Sequence, residues 1–272
     1  MTPIVSADGV SVAFGATRAL APSDFRLPRG AVISIIGPNG SGKSTLLNLI
    51  AGLVEPATGS IAVEVARQRI SYVMQSTKLN EALPVTVREV VTMGRYASIG
   101  PYGRLMPRDR QAVTEALDRM DIADLEARHI HDLSGGQRQR VLVAQGLAQD
   151  HDLLLLDEPM TGIDLTTAQA IDDVVHAETE EGCTVVVTTH DLSEARLSDH
   201  VLLLAGVVVA SGLPDEVLTN ENLLAAYGPS LLHAEKGRLF IDDPAHRPVP
   251  GRHTHLERTI HTETDRGGTH GE

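Results

Sequence analysis

The stretch "GPNGSGKS" fits the spacing G-x-x-x-x-G-K-S at Gly37, Gly42, Lys43 and Ser44. Glycines at those positions let backbone N–H groups close around phosphates, and a lysine adds a point charge near the terminal phosphoryl groups. Pro38, Asn39, Gly40, Ser41 and Thr45 complete the loop, and the Ser44 hydroxyl is of the type that ligates Mg²⁺. The chain has only three lysines, so one falling at this position is a specific signal. A second glycine-bearing stretch, "DLSGGQRQR", places Ser134, Gly135, Gly136 and Gln137 ahead of a helix-like run. Ser134 and Gln137 have capping-box spacing, which leaves the glycine amides free for an anion. Two further polar positions follow apolar runs. Asp157 and Glu158 end "LLLLDE", and His190 ends "VVVTTH". At the carboxyl end of a buried strand beside a phosphate loop, Asp157 suits a Mg²⁺ shell. Glu158 suits orienting or deprotonating a water, and His190 suits contact with a γ-phosphate.

The elements that must position these residues follow from periodicity. "GVSVAF" alternates, and "AVISIIG" is a continuous apolar run of the kind buried on both faces. "STLLNLIAGL" has helical spacing, and "RISYVMQ" reads as another strand. From Leu83 to Gln149 three helical segments follow, "TVREVVTMG", "RDRQAVTEALDRM" and "RVLVAQGLA". Strand character then returns in "DLLLLDEP" and "CTVVVTTH", on either side of a helical stretch. The expected fold is α/β: a mostly parallel sheet with crossover helices, an antiparallel β region at the N-terminal end and a helical inset. The organisation expected is a core in two parts, 1–82 and 150–241, around a helical subdomain at 83–149. The second core part ends in "GLPDEVLTNENLLAAYG" and a hairpin at "LLHAEKGRLFI". Residues 242–272, rich in His, Thr, Arg, Gly and Pro, have too few apolar side chains to offset ordering entropy, so a disordered tail is expected.

Composition narrows the function. The 272 residues carry a formal net charge of −13, against a general binder of nucleic acid or anionic membrane. The most apolar run, "VLLLAGVVVA", is about half the roughly 20 residues that a spanning helix needs. "MTPIVSADG" has neither a basic region nor an apolar core, so no signal peptide is expected. The single cysteine, Cys183, cannot form an internal disulfide and fits a reducing cytoplasm.

In this order the motifs resemble the ATP-binding subunit of an ABC transporter, over roughly residues 1–228. The family's signature, "LSGGQ", stands intact at Leu133 to Gln137. The resemblance implies a Q-loop glutamine at Gln75, also a Mg²⁺ contact, a D-loop aspartate at Asp164, a switch histidine at His190 and an adenine-stacking aromatic at Phe14. It implies ATP and Mg²⁺ as ligands. It also implies a head-to-tail homodimer in which the signature of one copy closes over the nucleotide on the other copy's loop. Partners would be integral membrane permease subunits and, indirectly, an extracytoplasmic substrate-binding protein. The chain itself would be cytoplasmic, peripheral on the inner face of the cell membrane. Residues 83–113 are similar to the corresponding segment of zinc and manganese uptake ATPases, although "MTGID" departs from the Ala-Gly-Val-Asp more common in that D-loop. His246, His253, His255, His261 and His270 add imidazoles to the tail, a ligand type suited to zinc. A siderophore or cobalamin importer would share every ATPase motif. A non-transport ABC protein would need a second P-loop or a long coiled-coil insertion, for which the chain has no room.

Overall fold

A computed structural model of the chain describes residues 2–75, 84–100 and 103–228, with the backbone of 232–235 and 238–241. The expected tail at 242–272 and its five histidines lie outside the described residues. Strands β1 (Pro3–Phe14), β2 (Thr17–Pro28) and β4 (Thr58–Val63) form an antiparallel sheet in the order β2-β1-β4. A second sheet contains β3 (Val32–Ile36), β5 (Ile70–Val73), β6 (Leu153–Asp157), β7 (Thr184–Thr189), β8 (His200–Leu204) and β9 (Val208–Gly212). Its order is β5-β6-β7-β3-β8-β9; the first five strands are parallel and β9 returns antiparallel to β8. The apolar run at 201–210 is therefore a hairpin, turned at Gly206 with φ +73°.

Helix α1 (Lys43–Ile50) follows β3 directly. Between β5 and β6 come α2 (Val87–Ile99), α3 (Pro107–Arg119) and α4 (Gly135–Leu147). Then α5 (Leu165–Glu180) joins β6 to β7, α6 (Leu192–Arg196) precedes β8, and α7 (Pro214–Val217) and α8 (Asn220–Tyr227) follow β9. The backbones of β10 (Leu232–Glu235) and β11 (Arg238–Ile241) pair antiparallel, as the hairpin reading anticipates. Among the described residues no helix is long and apolar enough to cross a membrane.

The pleat of the parallel strands sorts the core into two sides. Leu153, Leu155, Val186, Ile33 and Ile35 face α1 and the antiparallel sheet. Leu154, Leu156, Val185 and Val187 face the opposite way and pack with α2, α3, α4 and α5. So α1 and α4 lie on opposite faces of the sheet.

The three inset helices are set by local chemistry. Thr86 caps α2 with a full capping box: its N–H donates to Glu89 Oε2 at 2.7 Å while its Oγ1 accepts from the Glu89 amide. Pro107 starts α3 at a position where a missing N–H costs nothing. A Cβ on Gly94 would stand 2.1 Å from the Gln145 carbonyl oxygen, so α2 and α4 cross at backbone contact. Buried Arg95, next along, donates to Asp109 (2.8 Å), to Asp150 (2.8 Å) and to the Ala148 carbonyl (2.6 Å). One guanidinium thereby joins α2, α3 and the turn that leads into β6.

Candidate active site

The phosphate loop leaves β3 at Gly37, where no side chain fits: a Cβ would lie 1.9 Å from the Leu204 carbonyl oxygen. Gly42 is left-handed at φ +101°, and a Cβ there would come within 2.7 Å of the Ala19 carbonyl oxygen. The turn after β8 ties the loop to β2. The Gly206 amide donates to the Ser41 carbonyl at 2.9 Å, and the Gly206 carbonyl accepts from the Ala21 amide at 2.7 Å. Pro38, Asn39 and Gly40 form the outer crown, and the Pro38 carbonyl accepts from the Ser41 amide at 3.1 Å. Gly42 caps α1 without any side-chain bond, and the first turn carries no acidic residue. The first-turn amides of α1 therefore point toward whatever anion the loop takes. Ser44 is exposed and Thr45 half-buried in that turn.

Lys43 is folded into the loop. Its Nζ donates to the Gly37 carbonyl at 2.9 Å and to that of Pro38 at 3.3 Å, and stands 3.7 Å from Glu158 Oε1. Burial presses the Lys43 ammonium below its usual pKa, against the opposing pull of Glu158 and Asp157.

The acidic side of the site is built by parallel register. Asp157 is paired with Thr188, whose Oγ1 donates to Asp157 Oδ1 at 2.8 Å and accepts from the Glu158 amide at 2.7 Å. Tyr72 OH reaches Asp157 Oδ2 at 3.5 Å, and its phenol is pushed up in pKa by burial first and then by that carboxylate. Glu158 has φ +49°, a left-handed conformation that costs a non-glycine residue roughly 1–3 kcal/mol and concentrates at functional sites. Gln75 Nε2 donates to Glu158 Oε2 at 3.2 Å. His190 follows β7, half-buried, beside the Asp191 cap of α6. Gln75, Asp157, Glu158, His190 and the phosphate loop thus stand at the carboxyl ends of β5, β6, β7 and β3, four adjacent strands. Phe14 ends β1 opposite Thr17 and is 54% exposed, so it is not a core residue. Its hairpin reaches the loop through Ala19, the residue against Gly42.

The second cradle has the capping geometry. Ser134 Oγ accepts from the Gln137 amide at 3.2 Å, and Gln137 Oε1 accepts from the Ser134 amide at 3.1 Å. Ser134 and Gly135 are exposed, and Gly136 is half-buried. A Cβ on Gly136 would meet Asp164 Oδ2 at 2.8 Å and Thr167 Oγ1 at 2.9 Å. Asp164 caps α5, accepting from the Thr167 amide at 3.0 Å and from its hydroxyl at 2.9 Å, bonds that hold its carboxyl below the usual range. Asp164 therefore buttresses the signature of its own chain. The signature begins α4 and the phosphate loop begins α1, on opposite faces of the sheet.

Thr188 and Tyr72 were not singled out by motif. A threonine in a buried strand reads as β-propensity, and only the pairing of "LLLLD" with "VVVTT" reveals its two bonds.

A profile of the family described as ABC transporter matches residues 20–161. The manganese transport system ATP-binding protein MntA of Synechocystis is 37% identical over 233 residues, 82% of this chain and 90% of that protein. The zinc transport system ATP-binding protein TroB of Treponema pallidum is 39% identical over 230 residues, 82% of this chain and 86% of that one. Among solved structures, cbiO1 of Clostridium perfringens, part of the ABC transporter complex cbiONQ, superposes with a TM-score of 0.67 at 28% identity, covering 83% of this chain and 94% of its own. With the phosphate loop, the carboxylates at the sheet edge and an intact signature already in place, this chain belongs to the ABC transporter family as one of its ATP-binding members.

Proposed function

We propose that the chain is the ATP-hydrolysing subunit of an importer for a divalent metal ion, zinc or manganese, and that it works as a head-to-tail homodimer. The observation that carries the hydrolytic reading is the Glu158 carboxylate, held by backbone strain and Thr188 within reach of Lys43 and Gln75. The metal assignment is supported by the manganese and zinc transport names of relatives that span most of the chain.

The residues fit a nucleoside triphosphate. Gly37 and Gly42 leave no room for side chains, and the α1 amides are uncapped. Pro38, Asn39, Gly40, Ser41 and Thr45 shape the same cradle. Lys43 exchanges the Gly37 and Pro38 carbonyls and Glu158 for phosphate oxygens. That exchange frees Glu158 to orient and deprotonate a water. On this reading His190 and Gln75 act on the terminal phosphoryl group, and Phe14, exposed at the end of β1, stacks on the base. Ser44, Asp157 and Gln75 supply the hard oxygen donors that hold Mg²⁺, which when bound neutralises phosphate charge. Ser134, Gly135, Gly136 and Gln137 act on the nucleotide of a second copy, with Asp164 holding them in place. Their position across the sheet from α1 supports that assignment, because each site then needs both chains.

On this reading, residues 1–82 and 150–241 form the nucleotide-binding core. The helices within 83–149 transmit closure to permease subunits on the inner face of the membrane, and an extracytoplasmic binding protein delivers the ion. Deleting the gene tests the assignment. Cell-associated zinc or manganese should fall under metal limitation and return with the wild-type gene, but not with Lys43→Ala. A loss confined to siderophore-bound iron or cobalamin would overturn the choice of cargo.

A further inference from the structure

At the amino ends of β6 and β7, on the edge of the sheet away from the nucleotide site, three side chains from three segments converge. His151 precedes β6, Glu178 lies in the last turn of α5, and Cys183 immediately precedes β7. One ligand-type atom from each falls within 4.8 Å of the other two. His151 Nδ1 lies 2.7 Å from the Gln149 carbonyl, which can only accept, so that nitrogen carries a hydrogen. The other nitrogen, Nε2, stands 2.8 Å from Glu178 Oε2. A neutral imidazole with Nδ1–H would set two lone pairs against each other there, so a proton or a metal ion must lie between them. The second carboxylate oxygen is engaged by Arg119 of α3 at 2.6 Å. The Cys183 thiol donates to the Thr184 carbonyl at 3.4 Å. An imidazolium–carboxylate pair accounts for two of the three groups, with the sulfur beside them turned to the Thr184 carbonyl.

We propose that His151, Glu178 and Cys183 form a binding site for a thiophilic divalent cation, for which zinc is the natural probe. One imidazole nitrogen, one carboxylate oxygen and one thiolate make a borderline-soft set that favours zinc over magnesium, calcium or manganese. The outer support such sites use is already in place: the Gln149 carbonyl fixes the imidazole tautomer and Arg119 fixes the carboxylate. Charge balances as well. Zinc enters with +2 as the imidazolium and the thiol each release one proton, so the three groups plus their occupant stay neutral before and after. Tetrahedral zinc spaces such ligand atoms about 3.5 Å apart, so Nε2 and Oε2 must spread slightly from their 2.8 Å separation. His151 and Glu178 each keep 6% side-chain exposure, so the set lies just under the surface, where water can fill a fourth position.

Protons compete with the ion. Nε2 of His151 must shed its proton, and Cys183 its own, before either can ligate. The other charged groups acting on the set are Arg119 and the exposed Arg69–Asp152 pair. Zinc affinity should therefore rise with pH through the neutral range, more steeply than tenfold per pH unit if both protons leave. The site is read from these side chains alone and does not rest on the importer assignment. It has a structural reach nonetheless, because α5 runs from the Asp164 cap beside the signature to Glu178.

Cobalt(II) on the full chain decides the matter. Cys183 is the only cysteine, so a near-ultraviolet thiolate-to-cobalt band can come from no other residue, and the tail histidines cannot produce it. One equivalent of Co²⁺ should give that band with intense tetrahedral visible absorption, and one equivalent of Zn²⁺ should bleach both. Cys183→Ser should abolish the band. His151→Ala should weaken Co²⁺ binding by more than about tenfold, the least that losing even an outer partner costs. Absence of the charge-transfer band from folded wild-type protein in excess Co²⁺ at mildly alkaline pH would overturn the site, whatever the variants do. So would a band that His151→Ala leaves unchanged in strength and affinity.

Discussion

Glu158 pairs with Lys43 across 3.7 Å and accepts a hydrogen bond from Gln75, while Thr188 holds its amide in a left-handed backbone. Glutamine in its place keeps the size and one acceptor oxygen but cannot take a proton. Glu158→Gln should therefore bind ATP and hydrolyse it roughly 10²–10⁴ times more slowly, the usual worth of a positioned base. With ATP persisting, the variant should run as a dimer on gel filtration in MgATP. Wild-type turnover in this variant would remove Glu158 from the base role. At this scale the sequence was legible where spacing is imposed by the ligand, as from Gly37 to Ser44. It was not legible where a role depends on a neighbouring strand. Thr188 and Tyr72 support Asp157 only because β5, β6 and β7 pair in one register.

Element by element, the α2–α4 crossing leaves no room for a side chain at Gly94. Gly94→Ala would drive a methyl group into the Gln145 carbonyl, a rigid neighbour, so the helices must separate and pull Arg95 from its partners. Overpacking of this kind typically costs about 1–3 kcal/mol, and urea unfolding should show it. Gly135→Ala, with no atom within 4 Å of the added carbon, should leave the midpoint nearly unchanged. A Gly94→Ala midpoint equal to wild type would mean that the crossing tolerates separation. The three inset helices and four of the five parallel strands, all but β8, were readable because their apolar residues recur at helical spacing or run uninterrupted. Strands β2 and β4 were not. "TRALAPSDFRLP" carries two prolines, "TGSIAV" is mostly exposed, and both owe their conformation to pairing with β1 across distant sequence. The run at 201–210 hid a hairpin, because uniform apolarity gives no period and Gly206 was its sole punctuation.

For the molecule as a whole, the decisive relation is the separation of α1 and α4 by the sheet. If the signature acts on a second copy, mixing Lys43→Ala chains with Ser134→Arg chains gives dimers in which one composite site holds both defects and the other holds neither. Each variant alone should be inactive, and ATPase activity should return in the mixed dimers. Confirmed heterodimers without activity would count against independent sites acting in trans. The same separation reaches into genetics. If the chain pairs with its own copies, a cell that carries a sound and a damaged copy of this gene assembles dimers from both. An allele whose product folds but lacks Glu158 would be dominant, because its chains enter shared dimers and the ATP they fail to cleave keeps those dimers closed. An allele whose product cannot fold would be recessive, because its chains never enter a dimer at all. The harm done by a mutation in this protein is therefore graded by what the damaged chain can still join, more than by how much of it is lost.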